Sequence, residues 1–403
     1  MARQKWTFKA RFRSKSYGWK GTSLATKRLS EAVREIKRMA KTDPVEAGDG
    51  AVALMERLWP SLQDIDGSSG ALGSAVNRTL DALIPVLIAA PADKGLRAKW
   101  LDRLYEAVKE DGVQYLSPVE DRWGEICAFP ELAQEWADRL LSLLRDVWSN
   151  EEKGAWVIGA TICLSSLLSV GRYAVLEELL LLRSYRFWHF DKFTAEALLR
   201  QDRIDEAVEF AEACRTDRYE DHNIACFCEQ ALLQAGRCDE AYHRYGLVTT
   251  RAGTNLAWFR TVVQMYPSME PRRILLDLIE RHNKRGKWFA AAKDAGFLNI
   301  ALECAEHNAV EPSTLIRAAR DFSDSQPKFG AQIALLAIKH LLSGRGYEPT
   351  TLDVLNAHTH LMAAAAHLEQ LDWAQGEIEK LIAASPAPGC EMMQKVLMAR
   401  IRR

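Results

Sequence analysis

Cysteine and histidine are the side chains best suited to metal binding or nucleophilic chemistry, and six of them fall within residues 214–243. They are Cys214, His222, Cys226, Cys228, Cys238 and His243. A structural zinc site needs two close ligand pairs, such as a CxxC facing a second CxxC or an HxxxH. His222 and Cys226 share a helix face four residues apart, but Cys226 and Cys228 do not, and no second pair follows. These thiols read as buried core residues. His360 and His367 also share a face, with His358 nearby, yet no HExxH or well-spaced carboxylate accompanies them. Residues 67–73 (GSSGALG) are glycine-rich, but no Gly-Lys-Ser/Thr follows to cradle a phosphate, so the stretch reads as a loop. There is no Gly-x-Ser-x-Gly elbow and no dinucleotide fingerprint. No catalytic residue, metal or cofactor is therefore expected, and an enzyme would need a site assembled from distant residues.

Two stretches carry binding chemistry instead. The first interleaves Trp6, Phe8, Phe12, Tyr17 and Trp19 with Lys5, Lys9, Arg11, Arg13, Lys15 and Lys20. Residues 5–13 alternate with period two, which predicts a strand or an extended arm. Phosphates bind Lys and Arg, and bases stack on exposed rings, so this is a candidate nucleic-acid arm. It continues into a basic helix with Lys27, Arg28, Arg34, Lys37 and Arg38. The competing reading has the rings packed on the body and the cations solvated, as on a protected edge.

The second stretch, 184–193, holds five aromatics in ten residues: Tyr185, Phe187, Trp188, Phe190 and Phe193. On a helix, Tyr185, Trp188 and His189 share one face. Phe190 and Phe193 are expected in the core. Tyr185, Arg186, Trp188 and His189 are the candidate partner-binding residues, because aromatics and Arg dominate binding hot spots. The competing reading is packing between helices.

The elements that would carry these residues repeat. Ala197-Leu198-Leu199, Gln201-Asp202-Arg203 and Asp205-Glu206-Ala207 return thirty-four positions later as Ala231-Leu232-Leu233, Ala235-Gly236-Arg237 and Asp239-Glu240-Ala241. Gly171-Arg172 is a weaker copy of the turn, 31 residues before Asp202-Arg203. In this register the chain resembles tetratricopeptide (TPR) repeats, helix–turn–helix units that bury their apolar face by stacking. The small residue of the second helix matches Ala207 and Ala241, and the turn position matches Asp202 and Gly236. Departures are Glu229 at a small position and Asp191 and Ala225 at the tryptophan position. The chain also resembles a bacterial family with a basic aromatic arm (FKARFRSKSYGW here) and a KWFAAAKDAG-type segment, residues 287–296; that resemblance implies no activity.

At 403 residues, 48% hydrophobic and 27% charged, the chain reads as a folded protein too long for one ordinary core. Its net charge of −1 hides an asymmetry. Residues 1–41 carry 13 Lys/Arg against Glu31 and Glu35, a balance of +11, and the rest carries 40 basic and 52 acidic groups, a balance of −12. That pattern suits an anionic partner for the head, or its docking on its own body. The N-terminus lacks an apolar leader, and residues 154–171 are too short and polar for a span, so a cytoplasmic chain with reduced thiols and no membrane partner is expected. The expected architecture is all-α: an arm (1–22), a helical N-terminal region (23–150) and a TPR-like solenoid (151–403). The expected function is a non-catalytic scaffold or adaptor holding a protein or peptide in a repeat groove. The alternative is a nucleic-acid-associated protein contacting phosphates through the arm and first helix.

Overall fold

The structure, a computed structural model, describes residues 6–150, 157–183, 186–215, 221–250, 252–282, 285–306, 310–384 and 387–401. Among them every regular element is helical and none is a strand, so the chain is all-α. It divides into two compact units, Met1–Ala231 and Leu232–Arg403.

The first unit is built from its N-terminus inward, and the expected extended arm is corrected here. Thr7–Ala10 is a 3-10 helix followed by turns, and Trp6, Phe8, Phe12 and Tyr17 are all buried. A lone strand has no ladder to join in an all-helical unit, whereas burying each ring contributes roughly 1.5–3 kcal/mol. The winding is pinned by Glu35, whose carboxylate accepts from Thr7 N at 2.8 Å and Thr7 Oγ1 at 2.6 Å. Lys15 N donates to the Pro60 carbonyl at 2.8 Å.

The receiving helix, Pro44–Met55, starts as its sequence dictates. Asp43 caps it by accepting from Glu46 N at 2.9 Å, and Pro44 takes the first turn. Its interior glycines cost helix propensity but allow close approach. A Cβ on Gly50 would stand 2.4 Å from the Trp6 ring, and one on Gly48 would stand 2.5 Å from Trp100. Arg97 is buried beside Trp100 and donates to the carbonyls of Leu87 (2.6 Å) and Ala90 (2.5 Å). It thereby adds side-chain donors to carbonyls at the end of helix Ala71–Ala89, where the regular intrahelical bonding runs out.

Ala71–Ala89 runs unbroken through Pro85, where the sequence suggests an interruption; Pro85 is exposed, so the carbonyls it cannot serve face water. Among the described residues it is the one helix long and apolar enough to cross a membrane. It also carries Asn77, Arg78 and Asp81, while Leu72, Val76, Leu80, Leu83 and Leu87 lie in the unit's core.

One turn recurs in both units. At Gly171 and Asp202 in the first unit, and Gly236, Gly296 and Glu369 in the second, a residue is left-handed (φ 73°, 61°, 74°, 86° and 55°). In each, its N–H reaches the carbonyl three residues back, and the next N–H reaches the carbonyl five back. This is a Schellman helix end. At Gly171, Asp202, Gly236 and Glu369 the following residue also opens the next helix. Five residues past each left-handed residue stand Leu176, Ala207, Ala241, Ala301 and Ala374, all wholly buried. The burial of Ala207 and Ala241 agrees with the register read from the 34-residue spacing.

Candidate functional site

The site is built on helix Trp188–Arg200 of the first unit and the loop before it. Phe187 is extended and its N–H donates to Asp191 Oδ2 at 2.8 Å, so the aspartate folds back onto the start of its own helix. The other oxygen, Oδ1, accepts from Arg183 Nη2. Both side chains are sealed, with Arg183 3% exposed. The Arg183 guanidinium also lies over the rings of Trp148 and Phe190, 5.6 and 5.2 Å from their centroids. The cation is thus buried with a carboxylate partner and two aromatic faces.

Along the same helix His189, Lys192 and Glu196 recur at helical spacing. Thr161 Oγ1 lies 3.0 Å from His189 Nε2, and Lys192 Nζ lies 2.8 Å from Asp121 Oδ1. Thr161, Ser165 and Ser169 form a polar stripe on helix Ala160–Ser169. Ser165 Oγ donates to the Asp121 carbonyl (2.9 Å) and accepts from Gly124 N (3.1 Å); Ser169 Oγ donates to the Gly124 carbonyl (3.1 Å). Gly124 permits this contact, since a Cβ there would stand 2.4 Å from the Ser165 carbonyl oxygen.

Burial sets the protonation. It holds His189 below the ordinary imidazole range, so the ring is neutral at pH 7. It raises Glu120 to about 8, with further upward pushes from Asp121 and Asp111, and it also raises Glu196. Thr161 and His189 resemble a nucleophile and its base, but Thr161 is buried and out of reach of a substrate. Their pairing is structural.

Two depressions flank this segment. One, about 470 Å³, has a polar lining that includes Gln114, Ser117, Asp121, His189, Lys192 and Asn223. The other, about 260 Å³, is lined by Arg183, Arg186, Thr194, Leu180, Leu181 and Phe210, with Glu177 and Asp191 also on its wall.

The residues expected to bind a partner are therefore divided. Tyr185 lies outside the described residues. Arg186 is exposed beside the smaller depression, its guanidinium 5.3 Å from the Phe210 centroid. His189 is half-buried at the larger one. Trp188, expected on an available face, is only 5% exposed, packed edge-on against Phe227 at 5.3 Å. That face is corrected: the indole is core, because Phe227 from helix Asp221–Gln234 covers it. Phe190 and Phe193 are core as expected, while Phe187 is 38% exposed. Nothing local in the sequence marks Asp121, and Asp191 stands out only as a departure at the tryptophan position.

The basic head is divided too. Lys5 lies outside the described residues. Arg11 pairs with Glu31, Arg28 lies over Tyr17 at 5.4 Å, and Lys9 is half-buried. Arg13, Lys15, Lys20, Lys27, Arg34, Lys37 and Arg38 are exposed with no carboxylate partner among the described residues. The rings expected to stack on bases are inside, except Trp19, which is 67% exposed.

Elsewhere His222 Nε2 lies 3.7 Å from Cys226 Sγ, and His367 Nε2 lies 3.1 Å from Asp324 Oδ1. Among the described residues no three His, Cys, Asp or Glu side chains converge to hold a metal. Comparison of the chain with protein-family models, with curated proteins and with solved structures gives no match.

Proposed function

We propose that the chain is a non-catalytic, TPR-like scaffold or adaptor of the bacterial cytoplasm that holds a protein or peptide on its helix hairpins. The observation that carries the reading is the recurring helix end at Gly171, Asp202, Gly236, Gly296 and Glu369, each followed by a buried residue in the same register. Helix hairpins of that kind bury one face against their neighbours and leave the other for a partner. The surface around Arg186 and Phe187, open in the first unit, supplies an exposed arginine and ring of the type that anchors peptides. A displayed-peptide selection against the intact protein tests this. Selected peptides should bind the Arg186→Ala, Phe187→Ala double variant more than ten-fold more weakly, with an unchanged melting temperature. Failure to select any peptide, or equal binding by the variant, would refute it.

A second reading rests on the unpaired cations of the head. Arg13, Lys15, Lys20, Lys27, Arg34, Lys37 and Arg38 would contact phosphates, with Trp19 left to stack on a base because Trp6, Phe8, Phe12 and Tyr17 are core. Retention on nucleic acid should then fall steeply with salt, and replacing Lys27, Arg34, Lys37 and Arg38 by alanine should flatten that slope. No binding by the intact protein at low salt removes this reading.

A further inference from the structure

We propose that the second unit docks an amphipathic helix of a partner protein in a groove of about 540 Å³ lined by helices Leu298–Glu306, Pro327–Leu342 and Leu371–Ala383. Each of these helices shows the groove one stripe. Leu302 and Glu306 stand four apart on the first. Gln332, Leu335, Leu336 and Lys339 follow at intervals of three, four and seven on the second, and Trp373, Glu377 and Leu381 recur every four on the third. All three helices already have a core face, since Ala301, Ile333, Ala337, Ala374 and Ile378 are wholly buried. Beyond such a face a surface helix is ordinarily polar. Here a second apolar stripe stays open to water: Leu302, Leu335 and Leu381 are half-buried and Trp373 is 39% exposed. Apolar side chains that converge on one open groove mark a binding surface.

The lining chooses among occupants. Gln332 is its one uncharged hydrogen-bonding side chain, so an extended peptide laid there would bury N–H and C=O groups without partners. A helix bonds its own backbone and presents only side chains. The charges then set which helix fits. Glu306 and Lys339 are exposed with no ion-pair partner among the described residues, whereas Glu377 is held by Lys380 at 2.7 Å. A small apolar molecule would leave both charges unanswered. The matching helix carries apolar residues three and four apart, flanked by a cation for Glu306 and a carboxylate for Lys339. The inference rests on the adaptor reading for the kind of ligand, but it uses a surface of the second unit instead of Arg186 and Phe187.

The test is a displayed-peptide selection against the full-length protein, followed by calorimetry with the best synthetic peptide and chemical shifts of that peptide, isotope-labelled, free and bound. Expected are sequences with apolar residues at helical spacing beside a Lys or Arg, which gain helix on binding. Trp373→Ala and Glu306→Lys, both at exposed positions, should each weaken binding at least ten-fold with an unchanged melting temperature. Exchanging the peptide's cation for Glu should restore its binding to the Glu306→Lys variant. The proposal is overturned if both groove variants bind like wild type, or if the bound peptide is extended. A dimer in sedimentation that Trp373→Ala dissociates would put a second copy in the groove and also overturn it. If only the Arg186→Ala, Phe187→Ala variant loses the selected peptides, the groove assignment falls and the adaptor reading stands. If no peptide is selected, both fall.

Discussion

The arm and the loop before helix Trp188–Arg200 are both rich in rings and cations, yet they place them oppositely. In the arm, Trp6, Phe8, Phe12 and Tyr17 are inside while Arg13, Lys15 and Lys20 are solvated. In the loop, a cation is sealed among the rings, and Phe187 is left outside. The difference lies in the carboxylates. Glu31 and Glu35, which answer the arm, stand at the surface, so Arg11 stays there too. Asp191 stands one turn into a buried helix, and only with it present can Arg183 leave water. A mixed aromatic and basic segment is therefore sorted by where its counter-charge lies.

The largest test of this comparison is on the arm. Phe12→Ala should destabilise the protein by about 3–5 kcal/mol, because it empties a sealed site. Deleting residues 1–22 should cost more still and broaden the thermal transition. A truncated protein melting like the intact one would mean the arm's rings are not core.

In the loop, Asp191→Ala leaves the Arg183 charge buried without its partner, and about 3–5 kcal/mol should be lost. Arg11→Ala removes an exposed pair, and should cost about 0–1 kcal/mol. Chemical denaturation of the two variants checks the contrast, and equal losses would break it.

Gly50→Ala sharpens the arm side alone. Its new methyl overlaps the Trp6 ring, so about 1–3 kcal/mol should be lost.

Glu120 gives a pH test beside the loop. Its folded acid holds the proton up to about 8, whereas the unfolded chain releases it near the ordinary 4.5. The native state therefore binds the extra proton, and stability is full below about 4.5 and falls as pH rises through 8. Glu120→Gln should melt like wild type at acid pH and above it at alkaline pH. Identical pH profiles would show that the carboxyl is not buried neutral.

The smallest effect is at the turns. Asp202 and Glu369 hold left-handed backbone that glycine holds at the equivalent positions. Replacing either by glycine should stabilise by about 0.5–1 kcal/mol.

Much of the helical scaffold was legible because its signals are local. Helical periodicity marks the elements, Asp43-Pro44 announces a helix start, and the Asp202 and Gly236 turns with Ala207 and Ala241 are written at a fixed spacing. The arm misled because alternation describes which side chains are apolar without saying whether a partner strand exists. Trp188 misled because helical spacing shows which rings share a face, while Phe227, which covers it, belongs to a helix 39 positions on. The pairs that shape the site, Asp121 with Lys192 and Thr161 with His189, join residues far apart in the chain, where one sequence offers no local cue.

The fit of Trp6 against Gly50 also has a consequence in time. During synthesis the arm leaves the ribosome before the residues that receive it, so its resting place is not yet made. Its anchors on Glu35, Gly50 and Pro60 must all emerge before Trp6 and Phe12 can be buried. At roughly 5–20 residues per second, the rings and their surrounding lysines wait several seconds in the open. The arm is thus translated before its anchors yet settles after them, and a nascent chain arrested before residue 60 should present those rings to chaperones, which the completed chain does not.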